Sequence, residues 1–217
     1  MNAKRENGLK ITAAIIAHHE AGHAVTLWLG ARGLGLSLPN AGLISVKIPS
    51  VPELEALHER IRNGERPNGF SGITEYDNAA FINASGQRET EVAIALAVQA
   101  LAGLAAEHQF LREIGDPWGL RSFQEHLAET RDDGRFSIPQ CAAELRAGRM
   151  LPDMDRMRWF ADIAGRSEQQ IIGRTREYIR MPRAWCTIQA LAEMLLVKNI
   201  MTGEEATNTM QAAWDSK

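Results

Sequence analysis

The chain has 217 residues and a mass of 24.0 kDa, which suits one domain with a sizeable core. A composition of 45% hydrophobic and 24% charged residues is that of an ordinary soluble globular protein, and a net charge of −3 gives no electrostatic reason to expect nucleic acid or an anionic membrane as partner. The two cysteines, Cys141 and Cys186, stand far apart and form neither a metal-ligand nor a redox pair, as expected of free thiols in a reducing cytosol.

Helix dominates the pattern. A first helix is expected over residues 9–29, with Gly30 and Gly33 helping to stop it. Its apolar run, residues 11–17, is short and leads into histidines without a cleavage site, so no signal peptide is read. Residues 43–48 and 70–76, each bounded by Gly or Pro, read as short strands able to pair in a small sheet. Residues 52–62 between them read as a short helix or an ordered loop. Residues 87–112 are helical and nearly apolar all round. The run 92–106, interrupted by Gln99, is too short to span a bilayer comfortably and reads as a buried core helix.

Asp116-Pro117 has the form of an N-cap and first turn for a helix reaching residue 129, followed by a polar loop over 130–135. Weaker helices are expected at 139–147 and 152–164. Beyond Gly165 the chain is helical again, broken near Pro182. Thr202-Gly203-Glu204-Glu205 is a capping box opening a last helix. The expected fold class is mainly α with a small β-sheet (α+β), without a membrane span and cytoplasmic.

The first helix carries His19-Glu20-Ala21-Gly22-His23, an H-E-x-x-H pattern. Residues four apart lie one above the other on a helix, so both imidazoles can meet one zinc ion. Glu20, next to the first ligand, can reach a metal-bound water and serve as general base in hydrolysis, above all of a peptide bond. His18 points about 100° away from His19 and reads as a supporting or solvent-facing residue, not a ligand. A catalytic zinc site needs a third protein ligand. On chemistry alone Glu107, His108, His126, Asp132, Asp133, Asp153 and Asp155 all qualify, and spacing does not choose among them.

The segment His19-Glu20-Ala21-Gly22-His23-Ala24 resembles the zinc helix of the FtsH peptidase family, the proteolytic part of membrane-anchored AAA+ proteases. Val46-Lys47-Ile48-Pro49 followed by Gly69-Phe70-Ser71-Gly72 is similar to that family's strand pair, and Ala102-Gly103-Leu104-Ala105-Ala106-Glu107 to its Gly-Gly-Arg-Ala-Ala-Glu stretch. Leu191-Ala192-Glu193-Met194-Leu195-Leu196 and Thr202-Gly203-Glu204-Glu205 resemble its C-terminal helices. The likeness runs in order from about residue 10 to 215.

It implies an FtsH-like, mostly helical fold with His19, His23 and Asp153 as zinc ligands, Asp155 being the alternative. It also implies that Glu107 supports the site without binding metal, and that Gly72, Ile73 and Thr74 lie on a strand to which a substrate strand adds. The chain departs from the family in carrying no Gly-x-x-x-x-Gly-Lys-Ser/Thr phosphate loop and in a lengthened segment 115–150; Met157-Arg158 stands where the family has Ala-Thr. The expectation is a stand-alone zinc metallopeptidase acting on polypeptides, with an ATPase or other protein as a possible partner. The rival expectation is a metal-binding adaptor that has kept the fold but lost turnover. A non-peptide amide substrate needs only the same site.

Overall fold

The computed structural model describes residues 3–63, 72–84, 86, 88–130, 136–146 and 151–216. Two long helices form its centre: α1 (Ala3–Gly33) and α4 (Glu89–Glu113), packed against each other along much of their length. Helix α1 outruns its expected end because Gly30 lies inside it, against α4: a Cβ there would stand 3.3 Å from the Ala95 methyl. The stop is Gly35, at φ +61°, where the amides of Leu36 and Gly35 bond back to the carbonyls of Ala31 and Arg32. Such a turn needs a left-handed residue, which glycine supplies without steric cost.

The closeness of the pair is set at Gly22. A Cβ there would lie 2.5 Å from the Ala102 carbonyl oxygen and 2.8 Å from the Ala106 methyl. Small residues on both helices therefore bring the backbones together where the histidines stand. Helix α4 is long and apolar enough to cross a membrane by length and composition, but 78% of its most apolar stretch is buried inside the protein. It is the core helix expected, surrounded by α1, α7 (Asp153–Ile163) and α8 (Glu168–Arg180). Buried side chains such as Leu96 and Leu101 stabilise that arrangement by about 1.5–3 kcal/mol each.

The sheet has three antiparallel strands, not two, in the order β2 (Ile73–Tyr76), β1 (Leu43–Lys47), β3 (Ile200–Thr202). Val46 pairs with Thr74 on one side and Met201 on the other. The third strand is only three residues long and lacks a turn signal before it. It exists because helix α9 (Pro182–Lys198) ends in a left-handed Asn199 that swings the chain back along β1. Residues 70 and 71 of the expected second strand lie outside the described residues. The segment between the strands is helix α2 (Val51–Arg62), and a short α3 (Asn78–Ala84), not foreseen, follows the sheet.

One expected helix start is corrected. Asp116 does not cap a helix at Pro117; its carboxylate accepts from the Trp118 amide in a turn, and α5 (Phe123–Thr130) begins six residues later. There the Ser122 hydroxyl takes the Glu125 amide while the Glu125 carboxylate takes the Ser122 amide, a capping box that outcompetes the Asp-Pro signal. Helix α6 (Ile138–Arg146) lies close to its expected place, and residues 131–135 of the expected loop lie outside the described residues. The break at Pro182 separates α8 from α9, and Thr202 with Glu205 opens α10 (Gly203–Asp215). Both cysteines are free.

Candidate metal centre

Helix α1 presents His19 and His23 on the face turned to α4, and Asp153 arrives as the first residue of α7. Pro152 precedes it with extended backbone, while Met154, Met157, Phe160 and Ala161 bury the inner face of α7. At that first turn the carboxylate meets the positive end of the helix dipole, which favours its ionised form.

Three atoms converge. His19 Nε2 lies 3.1 Å from His23 Nε2 and 3.1 Å from Asp153 Oδ2, and His23 Nε2 lies 3.2 Å from the same oxygen. The opposite ring nitrogens are occupied. His23 Nδ1 stands 2.7 Å from the Gln99 carbonyl oxygen, which can only accept, so the proton is on Nδ1. His19 Nδ1 lies 3.3 Å from Glu107 Oε2, which likewise takes a proton from it. In the neutral imidazoles both Nε2 atoms therefore carry lone pairs aimed at each other and at a carboxylate oxygen. Such a cluster repels itself unless a cation sits among the three.

The protonation preferences say the same. Burial works against charge on His19, but hydrogen bonds to Asp153 and Glu107 and the charges of Asp153 and Glu20 outweigh it and raise its pKa to about 10. Burial likewise works against ionised Asp153, and His23, His19 and Arg156 outweigh it, holding the carboxyl well below its usual range. A divalent ion meets that demand without a proton. Ligands at ~2.0 Å from a tetrahedral zinc stand about 3.3 Å apart, close to the spacings here. His19, His23 and Asp153 fit a metal ion.

Glu20 is buried beside the sheet. The Thr74 hydroxyl donates to Glu20 Oε2 at 2.7 Å and lies 3.1 Å from the Glu20 carbonyl oxygen. Gly72, just before β2, closes in as well: a Cβ there would stand 2.4 Å from Glu20 Cγ. Of the three residues expected to touch substrate, Gly72 and Thr74 thus face the glutamate, and Ile73 points outward, 37% exposed.

The other described candidates are engaged elsewhere. Asp155 turns aside to an ion pair with Arg158. Glu107 bonds His19 with one oxygen, and its other lies 3.7 Å from His126 Nε2. His126 and His108 are both buried, and His108 donates from Nε2 to the Arg121 carbonyl oxygen at 2.9 Å. Asp132 and Asp133 lie outside the described residues. His18 is corrected: it neither supports the site nor faces solvent, but is buried and stacked on Phe110 with centroids 4.1 Å apart. Burial lowers its pKa, with partial relief from the Ala14 carbonyl and the charges of Glu113 and Glu193.

Two contributors had no functional signal in the sequence. Gly103 of α4 lies against the imidazoles: a Cβ would stand 2.4 Å from His23 Nε2 and 2.6 Å from His19 Nε2. Arg156 donates from Nη2 to Asp153 Oδ1 at 2.9 Å, steadying the oxygen that does not meet the histidines. Gly103 stood within the quoted family stretch without being singled out, and nothing in the spacing marks Arg156. No protein-family model and no curated protein matches the chain.

Proposed function

We propose that this chain is a zinc-dependent metallopeptidase of FtsH-like type, with His19, His23 and Asp153 holding the metal and Glu20 as general base. The observation that carries the reading is the pairing of a three-donor triangle, without a fourth protein ligand among the described residues, with a carboxylate anchored beside it. A structural zinc would recruit a fourth protein ligand, whereas three ligands and an adjacent acid suit catalysis. Among the described residues no strand pairs with β2 on the side away from β1, which supports the addition of an extended polypeptide there.

Bound at the triangle, zinc would bring the pKa of a water toward neutrality and polarise the substrate carbonyl. The chain's own groups do the rest. The Gln99 carbonyl and Glu107 fix the imidazole tautomers so that both Nε2 atoms face the site. Thr74 engages Glu20 Oε2, leaving Oε1 to take a proton from the attacking water and return it to the leaving nitrogen. Arg156, paired with Asp153, offsets part of the negative charge gathered around the donors.

Glu20→Gln is the decisive variant. It should keep bound zinc, read by metal analysis, and slow cleavage of an unfolded protein by about 10²–10⁴-fold. Zinc-loaded wild type that cleaves no unfolded polypeptide or small amide would instead favour the metal-binding adaptor.

A further inference from the structure

Arg156 places a guanidinium, 12% exposed, against the donor triangle. Nη2 is committed to Asp153 Oδ1, while Nε is buried and has no acceptor among the described residues. Its Cζ stands 5.8 Å from the ring centroid of Tyr76, the last residue of β2. A guanidinium keeps its charge at any working pH.

Strand β2 sets the order of groups. Gly72 and Thr74 at its start pack on Glu20, and Tyr76 at its end lies beneath Arg156. The Tyr76 hydroxyl donates to Gln99 Oε1 at 3.1 Å, and the Gln99 main-chain oxygen takes the His23 proton. A strand rises about 3.3 Å per residue, so the base and the cation stand at opposite ends of one short strand, with the donor triangle joined to both.

We propose that Arg156 is a second catalytic group, donating to the scissile carbonyl oxygen as negative charge develops there; this rests on the peptidase reading. Attack by water forms a C–O bond at the carbonyl carbon, moves the C=O π pair onto oxygen and leaves one water proton on Glu20. The C–N bond then breaks as the π pair re-forms, and the proton passes from Glu20 to the departing nitrogen. The negative oxygen exists only between these events, so a fixed cation facing it lowers the barrier more than it tightens substrate binding. The structural rival is that Arg156 only steadies Asp153.

The test uses the zinc-loaded full chain, wild type and Arg156→Ala, with a fluorogenic peptide. Zinc per chain, kcat, KM and the affinity of a phosphinic peptide are measured together. The variant should keep its zinc and lose about 10²–10³ in kcat. KM should stay within about threefold and the phosphinic peptide should weaken in step with kcat, with part of the rate restored by millimolar guanidinium. Loss of zinc with activity, a change confined to KM, or an unchanged kcat would overturn the proposal. If Arg156→Ala does not fold, Arg156→Lys keeps the charge without the fork and should lower kcat at full zinc content; unchanged kcat there overturns it equally. Wild type that cleaves nothing sinks the peptidase reading, and this proposal with it.

Discussion

Gly103 shows how a residue without chemistry can decide chemistry. Its missing side chain leaves the space into which both Nε2 atoms point, and a methyl group would stand 2.4–2.6 Å from them. Gly103→Ala should therefore displace the imidazoles and abolish stoichiometric zinc binding. Helix propensity would gain up to ~1 kcal/mol, against an overpacking cost of about 1–3 kcal/mol. Calorimetric titration with zinc checks this, and wild-type affinity in the variant would show that the rings have room to retreat. The juxtaposition of His19 and His23 was legible because helix spacing alone carries residues four apart to one face. The choice of Asp153 over Asp155 was not legible from spacing, since both carboxylates open the same helix. It depends on which one α7 turns toward α1 and which one Arg158 captures.

At the scale of elements, the site rests on the α1–α4 crossing. Gly22 meets the Ala102 backbone, which cannot move aside as the end of a flexible side chain could. Gly22→Val should open the crossing and destabilise the fold by about 1–3 kcal/mol or more, with zinc affinity falling in parallel. Denaturant unfolding of the metal-free protein reads the first effect, and an unchanged midpoint would contradict the packing argument. Most helices were readable because apolar periodicity and caps are local. The Thr202–Glu205 box and the break at Pro182 are examples. Strand β3 and the true start of α5 escaped for opposite reasons. The first is stabilised by pairing with a strand about 155 residues earlier in the chain, as Ser45↔Thr202 and Lys47↔Ile200 show, a non-local gain that no window contains. The second was a contest between two local signals, Asp116-Pro117 and Ser122-Glu125, and the reciprocal cap prevailed.

For the whole molecule, the ion pair among the donors ties stability to pH. His19 is raised from 6.5 to about 10 in the metal-free fold, so its contribution is full below pH 6.5 and is lost as pH rises toward 10. Asp153 is lowered, so its contribution is present above its ordinary value of 3.8 and is lost as pH falls below that. The stability difference between chelator-treated wild type and Asp153→Asn should thus be largest between about pH 4 and 6.5 and shrink toward pH 10. Thermal melts across that range check it; a difference that stays flat above pH 6.5 would refute the pairing. A metal ion bound at the triangle would compete with the same protons, so its stabilisation should grow with pH instead. The sequence by itself determined the helical character, the two histidines and the glutamate, because helix periodicity carries residues four apart to one face without help from the rest of the chain. Only the tertiary structure decided that Asp153 closes the triangle, that Gly103 makes room for it, and that Thr74 and Arg156 flank it. Those four lie on three elements separated by long stretches of sequence, and only burial of a shared core brings Asp153, Thr74 and Arg156 into hydrogen-bond reach of their partners and Gly103 against the imidazoles.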